Sequence, residues 1–335
     1  MSVWALAAWL AAASGWPGPS RGERADSPAQ NAACEGCHVE VAREWRGSQH
    51  QRAYVDADFA ESLAREPSAF CRGCHAAEAD PTRAAPAELA ALGVACVTCH
   101  KPGDTVLAGP VRAGMADAAP HALRRSPGFA EAAACGRCHA FSFPGRPALA
   151  MQDTLREHTS SAYASTSCID CHMPRRADGG RDHRFAASRD PALLKRALRV
   201  TAARRSTAVH LSLEPGWVGH AMPTGDLFRR LRVEAEVADA QWQVLASDSQ
   251  ALGRRFTSGD GPRVPVADDR VGAAGPTPTE VVLELGEAAV DRPIRWRVQY
   301  ERVAFASGDG ETAKVWDSVT IADGILPALR SPGKR

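Results

Sequence analysis

The chain has 335 residues, enough for two domains of ordinary size. Its formal net charge of +1 gives no strong pull towards nucleic acid or an anionic membrane surface, so neither is expected as a partner. All ten cysteines fall into one repeated pattern with a histidine attached, which argues against an ordinary disulfide framework.

In chain order, residues 3–13 come first: Val3, Trp4, Leu6, Trp9 and Leu10 among alanines. They read as the apolar core of a secretory signal, and Pro17 to Gln30 as a polar linker, so 1–30 is assigned to signal and linker. The run is shorter than the about 20 apolar residues a membrane-spanning helix needs. Nothing downstream qualifies, so no transmembrane span is expected.

Residues 31–190 carry five copies of Cys-x-x-Cys-His: Cys34/Cys37/His38, Cys71/Cys74/His75, Cys96/Cys99/His100, Cys135/Cys138/His139 and Cys168/Cys171/His172. This spacing attaches haem c. The two thiols add across the porphyrin vinyl groups, and the adjacent histidine becomes the proximal iron ligand. Structural zinc would use the pairs two at a time and would not require a histidine after each. A thioredoxin-like site would need a βαβ pattern, and none is present. Five covalent haems c are therefore expected, with His38, His75, His100, His139 and His172 proximal. Haem c is attached outside the cytoplasm in bacteria, which independently requires export to the periplasm or beyond.

The span 31–190 has 160 residues for five motifs, or 32 apiece. That is too little protein to bury five porphyrins in an apolar core of its own, so the haems must pack against one another. Short helices and irregular chain are expected here, with no long periodic segment.

After a basic stretch, Leu194 to Arg205, the pattern changes to period two. Leu231, Val233, Ala235 and Val237 alternate with polar residues, as do Ile294, Trp296, Val298 and Tyr300. Val209 to Leu213, Val281 to Leu285 and Val315 to Ile321 add further runs, separated by turns such as Ser258–Pro262 and Ser307–Gly310. Alternation with regular turns predicts an antiparallel β-sandwich over 200–330. The expected fold is thus multidomain: a mainly helical and irregular multihaem domain at 31–190, then the sandwich.

The second axial position of each iron decides between a carrier and an enzyme. Six histidines lie outside the motifs, close to the five that bis-histidine ligation requires. His50, His121, His158, His183 and His220 are the distal candidates. His210 is opposite in parity to Val209 and Leu211 and should point away from the sandwich core. Met115, Met151, Met173 and Met222 are the methionine alternatives, although Met173 directly follows its own motif.

These residues resemble the multihaem cytochrome c554 family, which is related in haem packing to hydroxylamine oxidoreductases and pentahaem nitrite reductases. The resemblance covers roughly 31–190. It rests on Trp45-x-x-Ser48-x-His50, Gly93-Val94-Ala95 before the third motif, Pro120-His121, and Cys171-His172-Met173-Pro174 followed by His183. It implies that these histidines are distal ligands, often to a haem other than the nearest in sequence. It also implies periplasmic or extracellular electron transfer. The segment from Gly219-His220 to Pro223-Thr224-Gly225 is similar to one in larger bacterial multihaem cytochromes with a β-rich C-terminal part. The chain departs from nitrite reductases, since no motif carries lysine for histidine, and Tyr54, Tyr163 and Tyr300 give no sign of a cross-link.

The expected function is electron transfer through a chain of five covalently bound, mostly bis-histidine haems. The sandwich would supply His220 to one iron, no catalytic residues are assigned, and the partners would be other cytochromes or a quinol-linked complex. Two alternatives remain. One is an enzyme acting on a small nitrogen or sulfur compound at a five-coordinate haem. The other is a protomer of an extracellular haem filament. The oligomeric state is left open.

Overall fold

The computed structural model describes residues 22–65, 67–111, 119–143, 146–257, 264–306 and 313–329. The signal-like run 3–13, Met115 and the turns at 258–262 and 307–310 lie outside them. Two compact units are formed. One comprises the described residues within Met1–Pro144 together with Thr166–Ala186; the other comprises those within Gly145–Ser165 and Ala187–Arg335.

The first unit is built from short helices: α1 (Ser27–Cys37), α2 (Val39–Arg46), α3 (Ala57–Arg65), α4 (Ala69–His75), α5 (Ala87–Leu92), α6 (Cys96–His100), α7 (Ala133–His139) and α9 (Cys168–His172). A small parallel pair, β1 (Val106–Ala108) and β2 (Leu123–Arg125), and a three-residue strand β3 (Phe141–Phe143) accompany them. Helix α1 begins inside the segment expected to be linker, with a proline in its first turn, where a missing N–H costs nothing.

A buried carboxylate organises much of this unit. Glu78 is 1% exposed and accepts hydrogen bonds from Ser27 Oγ of α1 and Thr98 Oγ1 of α6, both at 2.8 Å. Arg24 pairs with it at 3.2 Å. A buried carboxylate is tolerated when its lone pairs are filled in this way. Asn31 of α1 also accepts from the backbone N–H of Cys96, at 2.9 Å. These bonds join the first and third motifs to the loop after the second. The apolar cluster beside them is small: Trp45, Leu89, Leu92 and Val97 with Ala76, Ala79 and Ala95.

The second unit contains β4 (Arg146–Gln152), α8 (Thr154–Thr159), α10 (Pro191–Ala197) and the strands β5 (Leu198–Arg205), β6 (Ala208–Pro215), β7 (Arg229–Ala238), β8 (Val244–Leu252), β9 (Arg254–Phe256), β10 (Pro265–Asp268), β11 (Thr279–Glu284), β12 (Ile294–Ala306) and β13 (Ala313–Leu326). Three strands form an antiparallel sheet in the order β11-β6-β5, and four another in the order β13-β12-β7-β8. Alternate residues of both sheets enter one buried cluster. Val209, Leu211 and Leu213 of β6, Val281 and Leu283 of β11, Leu231 to Val237 of β7, and Ile294, Val298 and Tyr300 of β12 all contribute. His210 takes the opposite parity and is only half-buried, as its strand position requires.

The basic stretch, Leu194 to Arg205, forms the end of α10 and the whole of β5. Asp190 caps α10 by accepting from the N–H groups of Ala192 and Leu193. Among the described residues no helix is long and apolar enough to cross a membrane.

Candidate functional site

Four of the five motifs occupy the last turn of a helix (α4, α6, α7 and α9), and α1 ends at Cys37 with His38 as its C-cap. On a helical turn, residues i, i+3 and i+4 share one face, so both thiols and the imidazole project together. The motifs are also close to one another. Cys138 hydrogen-bonds through sulfur with Cys74, and Cys135 with Cys168. Cys99 lies near both Cys135 and Cys138, and Cys34 near Cys96. The fourth motif therefore neighbours the second, third and fifth, and the first neighbours the third.

Backbone carbonyls orient the imidazoles. Nδ1 of His75 donates to the Ala53 carbonyl at 2.6 Å, that of His100 to Leu107 at 2.9 Å, and that of His172 to Ala186 at 2.6 Å. His183 Nδ1 donates to Arg181 at 2.8 Å and His220 Nδ1 to Ala221 at 3.0 Å. A carbonyl oxygen only accepts, so Nδ1 carries the proton and Nε2 presents its lone pair. Proteins hold ligating imidazoles in this manner.

Three motif histidines face a second imidazole. Ring centres are 6.4 Å apart for His38 and His121, 6.3 Å for His139 and His50, and 6.3 Å for His100 and His183. A metal–imidazole bond is about 2.0 Å, and the ring centre lies about 1.2 Å beyond the nitrogen, so two rings on opposite sides of one iron sit about 6.3 Å apart. The residues present thus fit the axial ligand pair of a haem. Burial, followed by the neighbouring His139, His172, His75 and His183, lowers the His50 pKa to about 3. Burial likewise lowers that of His100 to about 4. Both are neutral at physiological pH, as a metal ligand must be.

Each partner imidazole is positioned from its own stretch of chain. The two signatures around His50 and Gly93 form one device. Val94 N donates to the His50 carbonyl at 2.8 Å, and Trp45 Nε1 donates to the Val94 carbonyl at 2.8 Å. Gly93 has φ +56°, and a Cβ there would stand 2.4 Å from the carbonyl oxygens of both His50 and Gln51. Only glycine allows that approach. His183 is fixed through its backbone N–H, which donates to Glu44 at 3.0 Å; Arg176 pairs with the same carboxylate at 3.1 Å. The His38/His121 pair is exposed, whereas His50, His100 and His183 are half-buried.

His158 and His220 belong to the second unit, although His158 lies between the fourth and fifth motifs in sequence. One carboxylate organises their surroundings. Glu157 accepts from Thr224 Oγ1 at 2.6 Å and from Ala221 N at 3.3 Å, and pairs with Arg270 at 2.8 Å. Arg270 donates in turn to the Pro223 carbonyl at 3.1 Å. The loop 219–225 is thereby held on α8. A Cβ at Gly219 would stand 3.1 Å from the His158 ring. His158 is 7% exposed. Of the methionines, Met222 is in the core of the second unit, Met151 is in β4 and Met173 caps α9.

Phe59, Glu44, Phe185 and Glu157 were not singled out from the sequence, yet each touches or anchors a candidate ligand. Phe59 stacks on His75 with ring centres 3.7 Å apart. An acidic or aromatic residue close to a candidate histidine was the only available signal.

Residues 33–101 match the family described as cytochrome c554 and c-prime. No curated protein matches the chain. Among solved structures, a penta-haem cytochrome c552 from Thermochromatium tepidum is similar in fold, with a TM-score of 0.65 and 20% identity over 88% of this chain and 97% of that one. The family match falls on the first three motifs and on the Trp45–His50 and Gly93–Ala95 signatures that interlock in the structure. The chain thus carries, in residues 33–101, a segment similar to the cytochrome c554 and c-prime family, and it shares its overall fold with a penta-haem cytochrome.

Proposed function

We propose that the chain is a pentahaem electron carrier exported to the periplasm or the cell surface, with one haem c on each motif. His38, His75, His100, His139 and His172 are the proximal ligands. The observation that carries this reading is the 6.3–6.4 Å spacing of three imidazole pairs. His121 is accordingly the distal ligand opposite His38, His50 opposite His139, and His183 opposite His100. His158 and His220 complete a count of five distal ligands, and His210 is not one of them.

Held by a motif histidine and a second imidazole, a bound haem would supply one-electron chemistry and would leave no open position for a substrate. The chain's own residues do the positioning. The thiols fix each attachment, the backbone carbonyls set the tautomers, and the fourth motif sits where it adjoins three others. That adjacency supports a hub rather than a simple row. The two antiparallel sheets of the second unit are read as a β-sandwich, and the partners as other cytochromes or a quinol-linked complex.

The test is the haem-to-protein ratio and spin state of the exported protein. Five haems, all low-spin and indifferent to nitrite, hydroxylamine and cyanide, are expected. A high-spin ferric signal that shifts with nitrite would replace this reading with that of an enzyme.

A further inference from the structure

Phe185 is one of three described non-glycine residues with positive φ, at +53°. For a bulky side chain this left-handed region is strained, and such strain persists only where the surroundings over-determine it. The surroundings here are candidate iron ligands. The Phe185 ring meets His50 edge-on, with centres 4.2 Å apart and planes at 68°, and meets His183 at 5.8 Å and 85°. Both are favourable T-shaped contacts. One residue further on, the Ala186 carbonyl accepts from His172 Nδ1 at 2.6 Å. Two residues before Phe185, His183 is anchored by Glu44 and by its own bond to the Arg181 carbonyl.

The segment 181–186 therefore serves three imidazoles. The left-handed turn lets the ring face His50 and His183 while the next carbonyl faces His172. We propose that Phe185 is a positioning residue that sets the ring planes of His50 and His183, the distal ligands of two different irons. This rests on the ligand assignment proposed above.

Each distal ring is at an angle to its proximal partner: 55° for His50 with His139, and 34° for His183 with His100. In a low-spin ferric haem the largest g value depends on the angle between the two axial imidazole planes. Electron paramagnetic resonance of the haem-loaded, full-length protein therefore reads ring orientation directly. Phe185→Gly keeps the left-handed turn, which glycine adopts freely, and removes only the ring. Its largest g values should shift in two of the low-spin signals, with the haem count unchanged. Phe185→Tyr retains the ring and should superimpose on the wild type. Should Phe185→Gly fail to load haem, the same comparison is made between Phe185→Leu and Phe185→Tyr.

The inference is overturned if the ringless variant has the wild-type spectrum, or if Phe185→Tyr shifts as far as the ringless one. Failure of the ligand assignment itself looks different. His50→Ala and His183→Ala would then each leave the wild-type low-spin count intact. If they convert one haem each to high spin while the ringless variant shifts nothing, only the role of Phe185 falls.

Discussion

In the second unit, twenty-one buried residues from two antiparallel sheets and their connections join one apolar cluster. In the first, the corresponding described cluster has seven residues, three of them alanine. The first unit compensates with polar ties, above all the Glu78 hub and the Nδ1–carbonyl bonds of its histidines. The difference teaches where folding energy comes from in each. The sheets bury their own side chains and are self-sufficient. The helical unit is organised around thiols and imidazoles, and on the function proposed above most of its cohesion comes from covalently held haem, as in other folds coupled to a cofactor.

The largest effect should separate the two units outright. Cys135→Ser with Cys138→Ser removes the attachment that adjoins three others. Hydrogen exchange should then show near-complete loss of protection in α4, α6, α7 and α9, while β6, β7 and β12 stay protected. Equal loss in both units would break the contrast.

The converse experiment weakens the sheets. Leu211 is fully buried between strands, and Leu211→Ala should cost the second unit about 2–5 kcal/mol in chemical denaturation. The haem absorbance of the folded protein should not change.

Gly93→Ala tests the interlock that holds His50. The added Cβ has no room against two carbonyl oxygens, and the left-handed backbone adds strain of about 1–3 kcal/mol. The low-spin signal of one haem should be perturbed, and the second unit should melt as before.

Acid gives the smallest and most graded effect. The folded-state pKa of His50, about 3, lies below its ordinary 6.5, so the unfolded chain takes up the proton first. Its contribution to stability is whole above pH 6.5, declines as pH falls, and is gone near pH 3. The denaturant midpoint of the first unit should be unchanged from pH 8 to 7 and should fall progressively below 6.5. Stabilisation on acidification would contradict the neutral, half-buried imidazole.

The sequence made different parts of this legible. Alternation at 231–237 and 294–300 was readable because each of those strands buries one apolar face. Strand β5 was hidden because its inward positions, Leu198, Val200, Ala202 and Arg204, lie among arginines that dominate the composition. Strand β8 was missed because only Ala251 and Leu252 are buried. The five motifs are local and were read directly. The imidazole pairs are not local: His38 meets His121 and His50 meets His139, some 80 to 90 residues apart. Spacing cannot encode such partners. Nor does any residue type announce the left-handed turn at Phe185, which only the three-dimensional demands of its neighbours explain.

The most direct test of the central claim is the high-spin ferric resonance of the triple variant His50→Ala, His121→Ala, His183→Ala, loaded with haem. Three of the five irons should become high-spin, and the remaining two should stay low-spin. A spectrum indistinguishable from the wild type would show that these imidazoles, for all their spacing, are not the distal ligands.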